Sequence, residues 1–340
     1  MALTGSGRAS RPTMEDVARL AGVSHQTVSR VLNEHPNVRP QTRENVLASI
    51  RALGYRPNAA ARSLVTKRTN VLGVISFDTT FYGPASMLYG IEQAACPDYF
   101  VSVASPQAVD RRSVLDTVDR FLGQAVEGII VIAPQVPAVA VLSEVPADVP
   151  LVAVGCGTRT PLASVAIDNA AGALAATRYL LDLGHETVHH VAGPASWLDA
   201  QERLDGWSQA LRAAGAPQLE PLHGDWSARS GYELGSQLSQ LPGVTAVFCA
   251  NDQMALGLLR ALSERGIRVP EDVSLVGFDD IPESAFFLPP LTTVRQDFGE
   301  LGRRALRLLV DRITSHQEPR PGIPVAPELI VRASATRRGR

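Results

Sequence analysis

Residues 13–33 read TMEDVARLAGVSHQTVSRVLN, and this stretch holds two short helical patterns with a glycine between them. The first pattern begins at Thr13, whose side chain can cap a helix together with the acidic residue three positions later, and it ends at Gly22. Ser24 is a favourable N-cap for the second pattern, which covers residues 25–32. The stretch therefore predicts two helices joined by a tight turn.

A helix-turn-helix arrangement explains the small and apolar residues of this stretch. Two helices that cross closely need a small residue at the crossing, here Ala18, and an apolar residue just after the turn, here Val23. A third helical pattern with its own apolar stripe runs from about residue 41 to residue 53. We therefore predict an all-α helix-turn-helix head over residues 13–57.

The second helix and its cap present polar side chains suited to reading duplex DNA. Glutamine can pair with adenine and arginine with guanine in the major groove, while hydroxyl groups hold phosphates. These polar residues are Ser24, His25, Gln26, Thr27, Ser29 and Arg30. The pattern predicts a recognition helix for double-stranded DNA.

The distribution of charge supports this prediction. Residues 1–68 contain 11 Lys and Arg against 4 Asp and Glu, whereas the remaining residues contain 21 basic and 30 acidic side chains. A basic segment on an acidic body is expected when only that segment meets phosphate. The overall net charge of −2 hides this asymmetry.

The rest of the chain has the alternating pattern of an α/β protein. Strand-like apolar runs lie at residues 71–77, 128–133, 151–154, 188–192, 246–250 and 273–278. Amphipathic helical stretches between and after them include residues 170–183, 203–214, 254–265 and 299–313. The alternation predicts parallel sheets flanked by helices. Because about 270 residues are too many for one open sheet, we expect two lobes with a cleft between them.

Polar residues at strand ends indicate a sugar ligand for this cleft. Asn251 and Asp279 each follow a predicted strand, Arg203 begins a predicted helix after the loop at residues 195–199, and Trp226 lies in a loop. Ligands of α/β sheets bind outside the carboxyl ends of the strands. A sugar offers hydroxyl groups to polar side chains and a C–H face to an indole, so these residue types favour a sugar site.

Several stretches resemble the lactose/galactose repressor family. In the head they are DVARLAGVS (16–24), TVSRVLN (27–33) and LGYRPN (53–58). In the body they are GDWSA (224–228), ANDQMALG (250–257), VGFDD (276–280) and PPLTTVRQDF (289–298). The resemblance runs almost to the C-terminus and, within the family, is closest to the lactose-repressor branch. It implies a helix-turn-helix head, a two-lobed body like that of periplasmic binding proteins, and repression of transcription controlled by a small sugar.

The resemblance also implies how DNA is bound. Members of the family bind a near-palindromic operator as homodimers, and a hinge helix, here residues 58–68, folds on DNA and inserts Leu64 into the minor groove. The implied DNA-binding residues are Thr13, Ser24, His25, Gln26, Thr27, Ser29, Arg30, Asn33, Thr42, Tyr55, Asn58, Arg62 and Leu64.

For the effector, the resemblance implies two walls of one cleft. The effector-binding residues are Arg203, Trp226, Asn251, Asp279 and Gln296, with Phe81, Pro84 and Met87 on the mobile wall of the first lobe. Two departures stand out, because Gly155 replaces a ligand-binding aspartate of the lactose-repressor branch and Ile167 replaces an aromatic residue. A galactoside is therefore one candidate effector, and the identity of the sugar stays open.

We divide the chain into a disordered tail (1–12), the head (13–57), the hinge (58–68), an effector-binding and dimerisation domain (69–336) and a basic tail (337–340). The chain ends without the leucine heptads that join dimers into tetramers, so we expect a homodimer. With no secretory signal or membrane-length apolar run and three dispersed cysteines, we expect a cytoplasmic protein without membrane attachment. No cofactor, metal or catalytic residue is predicted.

Alternative functions share parts of this pattern. A transport-type sugar-binding protein would have a similar body but no basic helical head, and a sugar-converting enzyme could use the same cleft. The HETVH motif at residues 185–189 matches a zinc-protease signature, but its β-branched residues favour a strand, in which the two histidines would stand about 13 Å apart. A ligand that strengthens operator binding, as a co-repressor does, also fits the sequence.

Overall fold

A computed structural model describes residues 12–33, 35–56, 68–106, 108, 110–142, 144–146, 149–157, 162–315 and 323–338. The chain forms two compact units, residues 1–69 and residues 70–340. The predicted DNA contacts Asn58, Arg62 and Leu64 lie outside the described residues, as does most of the predicted hinge.

The first unit contains three helices packed around a small apolar core. Helix α1 spans Met14–Ala21, α2 spans His25–Leu32 and α3 spans Pro40–Leu53. A reciprocal capping box between Thr13 and Asp16 begins α1, as predicted, and Gly22 ends it. The core residues with little exposed surface are Val17, Ala18, Val28, Val31, Val46 and Tyr55.

The first lobe of the second unit is built on a five-stranded parallel sheet. Its strands are β1 (Val71–Ser76), β2 (Phe100–Ala104), β3 (Gly128–Ile132), β4 (Leu151–Val154) and β5 (Ser164–Val165), in the order β2-β1-β3-β4-β5. Its helices are α4 (Tyr82–Ala95), α5 (Arg111–Gly123), α6 (Val136–Leu142) and α11 (Phe298–Ser315). Alternate residues of β1 point to opposite faces, so that Leu72 and Val74 join one core cluster and Ile75 another.

The second lobe is built on a four-stranded parallel sheet. Its strands are β6 (His189–Ala192), β7 (Leu222–His223), β8 (Ala246–Cys249) and β9 (Ser274–Val276), in the order β7-β6-β8-β9. Its helices are α7 (Asn169–Asp182), α8 (Leu198–Ala214), α9 (Ala228–Leu238) and α10 (Asp252–Glu264). A 3-10 helix, Pro282–Phe286, and the antiparallel pair β10 (Thr293–Arg295) and β11 (Glu328–Ile330) complete this lobe.

The chain passes between the two lobes at residues 166–168, 296–297 and 323–327. Two of these segments pair, because the amide of Val325 donates to Ala166 and the amide of Asp168 donates to Val325, each at 2.9 Å. Helix α11 therefore packs on the sheet of the first lobe although it follows β10 of the second in sequence. The paired crossover segments therefore connect the two lobes side by side.

The structure contains a strand at each of the six predicted apolar runs and differs mainly at one helix. Helix α8 begins at Leu198, so Arg203 lies inside it and not at its start as predicted. The amide of Leu198 donates to the carbonyl of Pro134, and the amide of Gln201 donates to that of Trp197. The helix therefore starts four residues after Pro194, and Asp199, which we expected in a loop, lies in its first turn.

Helices α9 and α10 pack closely because glycines lie at their crossing. A methyl group added at Gly257 would stand 1.9 Å from the carbonyl oxygen of Ala228, and one at Gly231 would stand 2.0 Å from that of Met254. Backbone atoms cannot yield as flexible side-chain ends do, so this contact tolerates no larger residue without movement of a helix.

We predict that Gly257→Ala lowers the free energy of unfolding by about 1–3 kcal/mol through overpacking. Gly123→Ala is the matched control, because no described atom lies within 4 Å of the added methyl group. Urea denaturation followed by circular dichroism measures both changes. Equal denaturation midpoints for the two variants would contradict the assigned packing of α9 on α10.

Candidate effector cleft and DNA-reading helix

Helix α2 exposes the polar side chains that the sequence assigns to DNA reading. His25, Gln26 and Arg30 are exposed and Ser29 is half-buried, whereas Val28 and Val31 face the core of the head. The helix thus has one apolar face and one polar face free to meet a partner. This is the geometry in which a helix can enter a major groove.

Other predicted DNA-binding residues have structural tasks in the head. Ser24 accepts a hydrogen bond from the amide of Thr27 at 3.2 Å and lies 2.9 Å from its hydroxyl. Thr13 caps α1, and Asn33 ends α2. Tyr55 packs in the core with 9% of its surface exposed, while Thr42 is half-buried on α3. Caps at helix N-termini remain compatible with phosphate contacts, because they lie where free amides point outward.

A cavity of about 260 Å³ lies between the two lobes of the second unit. The first lobe lines it with Thr80, Phe81, Tyr82, Gly83 and Pro84. The second lobe lines it with Trp197, Asp199, Arg203, Trp226, Ser227, Ala228, Asn251, Gln253 and Asp279. Six of the eight predicted effector residues are therefore brought together around one space.

The other two predicted residues do not line the cavity. Met87 is buried in the core of the first lobe, where its sulfur fills the space beside Gly155. Gln296 lies in a crossover segment and reaches the site indirectly, since its Nε2 donates to Oδ1 of Asp279 at 2.6 Å. Ile167 is likewise buried in the core of the first lobe.

Arg203 is the central polar residue of the cleft. Its Nη1 donates to the carbonyl of Ala250 at the end of β8 and lies 3.3 Å from Oδ1 of Asp279 after β9. Its Nε donates to Oδ1 of Asn169 at 2.9 Å. The guanidinium carbon lies 3.8 Å from the ring centroid of Phe278. Arg203 is 4% exposed, so these contacts compensate a charge that is almost fully removed from water.

Aromatic rings form much of the cavity wall. The rings of Trp197 and Trp226 meet edge to face, with centroids 5.6 Å apart and planes at 72°. Phe81 of the first lobe meets Trp197 of the second at 5.5 Å and 88°, so this contact spans the cleft. The indole Nε1 of Trp226 is buried and has no hydrogen-bond partner among the described residues. A ligand with an acceptor group would satisfy it.

Asn251 borders the cavity with its side chain already engaged. Its Oδ1 accepts the amide of Met254 at 2.9 Å and so caps α10. Its Nδ2 donates to the carbonyl of Trp226 at 3.0 Å and to Oε1 of Gln253 at 2.9 Å. Asn251 therefore fixes the loop that carries Trp226.

Comparison with known proteins identifies the family. Residues 13–58 match the bacterial regulatory proteins of the lacI family, and residues 177–335 match the periplasmic binding protein-like domain. The chain is 36% identical over 306 residues to the lactose operon repressor of Escherichia coli (strain K12), over 88% of this chain and 83% of the relative. The chain belongs to the lacI family.

Further relatives support the same assignment for this lacI-family chain. It is 37% identical over 343 residues to the HTH-type transcriptional regulator CelR of Thermobifida fusca, over 96% of this chain and 99% of the relative. A crystal structure of the lac repressor dimer bound to operator and the anti-inducer ONPF superposes with a TM-score of 0.86 at 34% identity, over 96% of this chain and all of that one. A CelR–cellobiose complex gives a TM-score of 0.71 at 35% identity, with the same coverage. The predicted fold class is confirmed.

The zinc-protease motif has no metal-binding geometry in this lacI-family protein. His189 is the first residue of β6, and His185 lies in the turn before it, where its Nδ1 is 3.1 Å from the hydroxyl of Thr245. Among the described residues, no group of three or more histidine, cysteine or acidic side chains could hold a metal ion.

The described helices also include none that is long and apolar enough to cross a bilayer.

Sequence reasoning missed several residues of the cleft. Asp199 and Trp197 were placed in a loop, although Asp199 lies in the first turn of α8 and both line the cavity. Tyr82 and Asn169 were not singled out, although Tyr82 borders the cavity and Asn169 connects Arg203 to Asp199. The available signal was the acidic side chain of Asp199, because Asp and Glu are enriched in the first turn of a helix.

Burial shifts the ionisation of the two acidic residues that line the cleft. It raises the pKa of Asp199 to about 7, an effect that Arg203 opposes. It raises the pKa of Asp279 to about 7 as well, again against the effect of Arg203. Because the unfolded carboxyl groups ionise near pH 3.8, folding takes up protons between about pH 4 and pH 7, and stability falls as the pH rises through this range.

We predict that Asp199→Asn reduces this pH dependence. Between pH 5 and pH 7 the free energy of unfolding of the variant should decline less than that of the wild type, by about 1–3 kcal/mol, because one buried carboxyl no longer titrates. Thermal unfolding across this range measures the difference. Asp182→Asn, at a side chain that is 72% exposed, is the control and should follow the wild type. If Asp199→Asn shows the same pH dependence of the free energy of unfolding as the wild type, Asp199 does not titrate as a buried carboxyl group with a raised pKa.

Proposed function

We propose that this lacI-family protein is a dimeric transcriptional repressor that binds a near-palindromic operator and releases it when a small sugar fills the cleft. One observation carries the proposal. A single chain combines a helical head with an exposed polar recognition face and a two-lobed body whose cavity is walled by indole rings and buried polar groups. The first feature suits duplex DNA, and the second suits a small polar ligand.

The relatives support both halves of the proposal. The lac repressor structure is a dimer bound to operator, and the CelR structure is a complex with cellobiose. A dimer is also what DNA reading requires, because one head covers only one half-site of a palindrome. The identity of the sugar is not carried over, since the resemblance implies departures from the lactose-repressor branch at Gly155 and Ile167.

The direction of the response follows from which state the sugar prefers. A sugar that contacts both lobes stabilises the closed form of the cleft. Operator is released if this closed form has the lower affinity for operator. A co-repressor would bind the same cleft but would favour the form of the protein that binds operator. A sugar that releases operator is therefore an inducer, and a sugar that strengthens operator binding is a co-repressor.

We infer that the protein acts by binding in the cytoplasm and not by catalysis. The curated relatives are transcriptional regulators and repressors, and the adjacent acidic residues Asp279 and Asp280 do not form an acid and base pair for sugar hydrolysis. Asp280 faces away from the cavity wall and is bound by Arg295 at 2.7 Å and by Arg332 at 2.6 Å. Asp279 is bound by Arg203 and Gln296.

We predict that Gln26→Ala weakens binding to the selected operator by about 1–3 kcal/mol, the cost of one lost base contact, while leaving binding to random duplex nearly unchanged. Arg51→Ala, at an exposed position of α3 outside the recognition helix, is the matched control. Duplexes selected from a random pool by the full-length protein, followed by fluorescence anisotropy, provide the measurement. If no duplex sequence is enriched by the wild-type protein, the proposed function is wrong.

A further inference from the structure

The cleft contains an excess of negative charge. Among the residues that line the cavity, the charged ones are Asp199, Arg203 and Asp279. The guanidinium of Arg203 is paired with Asp279 at 3.3 Å. Asp199 accepts a hydrogen bond from Nδ2 of Asn169 at 3.1 Å, and it forms no ion pair with any described residue. The cavity lining therefore has two carboxylates and one guanidinium, and the guanidinium is ion-paired with Asp279 and not with Asp199.

Burial makes this imbalance costly. Asp199 is 7% exposed, and the side chain of Asp279 has the same exposure. A carboxylate removed from water without a counter-charge is unfavourable, and the usual outcome is that it takes up a proton. The raised pKa of Asp199 reflects this, because burial dominates over the effect of Arg203, while the neighbouring carboxyl of Glu202 raises the pKa further.

The wall around these carboxylates is suited to a cation as well as to a sugar ring. Phe81, Tyr82, Trp197 and Trp226 surround the cavity. The two ring pairs that border it, Phe81 with Trp197 and Trp197 with Trp226, meet at 88° and 72°. Such rings form walls in different directions and not a parallel slot. Aromatic faces attract cations through their quadrupole and also pack against the C–H face of a sugar.

The hydrogen-bond acceptors of Asp199 also favour a positively charged donor group on the ligand. A carboxylate has about four acceptor positions, and in the described structure Asp199 uses one of them, for Asn169. An ammonium group brings three donors and one positive charge, so a single group on the ligand would satisfy both the open acceptors and the charge imbalance.

We propose that the cleft takes a ligand carrying a protonated amine, of the class of amino sugars, and that Asp199 receives the amine. The inference rests on the proposed function, because it takes the cleft as the effector site. Arg203 and Asp279 then hold hydroxyl groups of the same ligand, the rings pack against its C–H face, and Asp199 determines the preference for the amine over a hydroxyl group.

The test compares amines with neutral sugars of the same shape. The probes are glucosamine with glucose, galactosamine with galactose, and the β-1,4-linked glucosamine dimer with cellobiose. The N-acetylated forms control for the size of the nitrogen substituent, since they carry no charge. Binding to the full-length protein at pH 7 is measured by calorimetry and by the fluorescence of the cleft tryptophans.

We expect at least one amine to bind tenfold or more tightly than its neutral parent and its N-acetylated form. Asp199→Asn should reduce this preference to below threefold, because an amide still accepts the hydrogen bond from Asn169 but offers no charge. Asp182→Asn, far from the cavity wall, should keep the full preference. Thermal unfolding of both variants verifies that they are folded.

Three results would each overturn the proposal. They are the absence of binding by every amine of the panel, a preference below tenfold for all three pairs, and a preference that survives Asp199→Asn. If a neutral sugar releases a selected operator in any of these cases, the proposal of a sugar-controlled repressor remains valid and only the preference for an amine is wrong. Failure of the protein to select any duplex would instead remove the proposed function itself.

Discussion

The buried guanidinium of Arg203 is the interaction on which the cleft depends. It connects α8 to the end of β8 through Ala250, to the end of β9 through Asp279, and to the start of α7 through Asn169. Removal of a charged side chain from water is expensive unless it is paired and hydrogen-bonded, and these contacts engage its Nε and Nη1. The ring of Phe278, 3.8 Å away, closes the remaining face. One side chain thus fixes the relative positions of three segments that border the ligand space.

Contacts between the described residues of the two lobes include backbone hydrogen bonds and aromatic packing. On one side the crossover segments pair through Val325, and on the other Trp197 packs edge to face on Phe81. Backbone hydrogen bonds from Val136 to Ser196 and from Leu198 to Pro134, at 3.1 and 2.8 Å, bring the loop after β3 against the start of α8. A ligand in the cavity touches both walls at once, so it favours the arrangement in which these contacts are formed.

The sequence could predict the fold and the polar centre of the site for clear physical reasons. Parallel strands buried on both faces are continuous apolar runs, and ligand groups follow their carboxyl ends, which is why Asn251 and Asp279 were found. Met87 does not line the cavity, although it shares a helix face with Pro84. That face borders the cavity at the start of α4 and continues into the core of the first lobe one turn later.

Other features of the site depend on tertiary packing that periodicity does not encode. Asp199 was missed because the start of α8 was predicted about one turn too late, and its role depends on the neighbouring Asn169 from a different helix. The hydrogen bonds of the Asn251 side chain could not be predicted either, since its partners are the backbone carbonyl of Trp226 and the backbone amide of Met254. Such contacts between segments distant in sequence require the folded chain.

We propose that the DNA-reading head and the cleft are energetically linked. Linkage is reciprocal, so the factor by which bound effector lowers operator affinity equals the product, over the two clefts of the dimer, of the factors by which operator weakens effector binding. The most direct measurement is a calorimetric titration of the releasing sugar into the protein, alone and with a saturating operator duplex. Each of the two equivalent clefts of the dimer should bind the sugar more weakly with operator than without it, by the square root of the factor seen in operator release. Equal affinities with and without operator would contradict it.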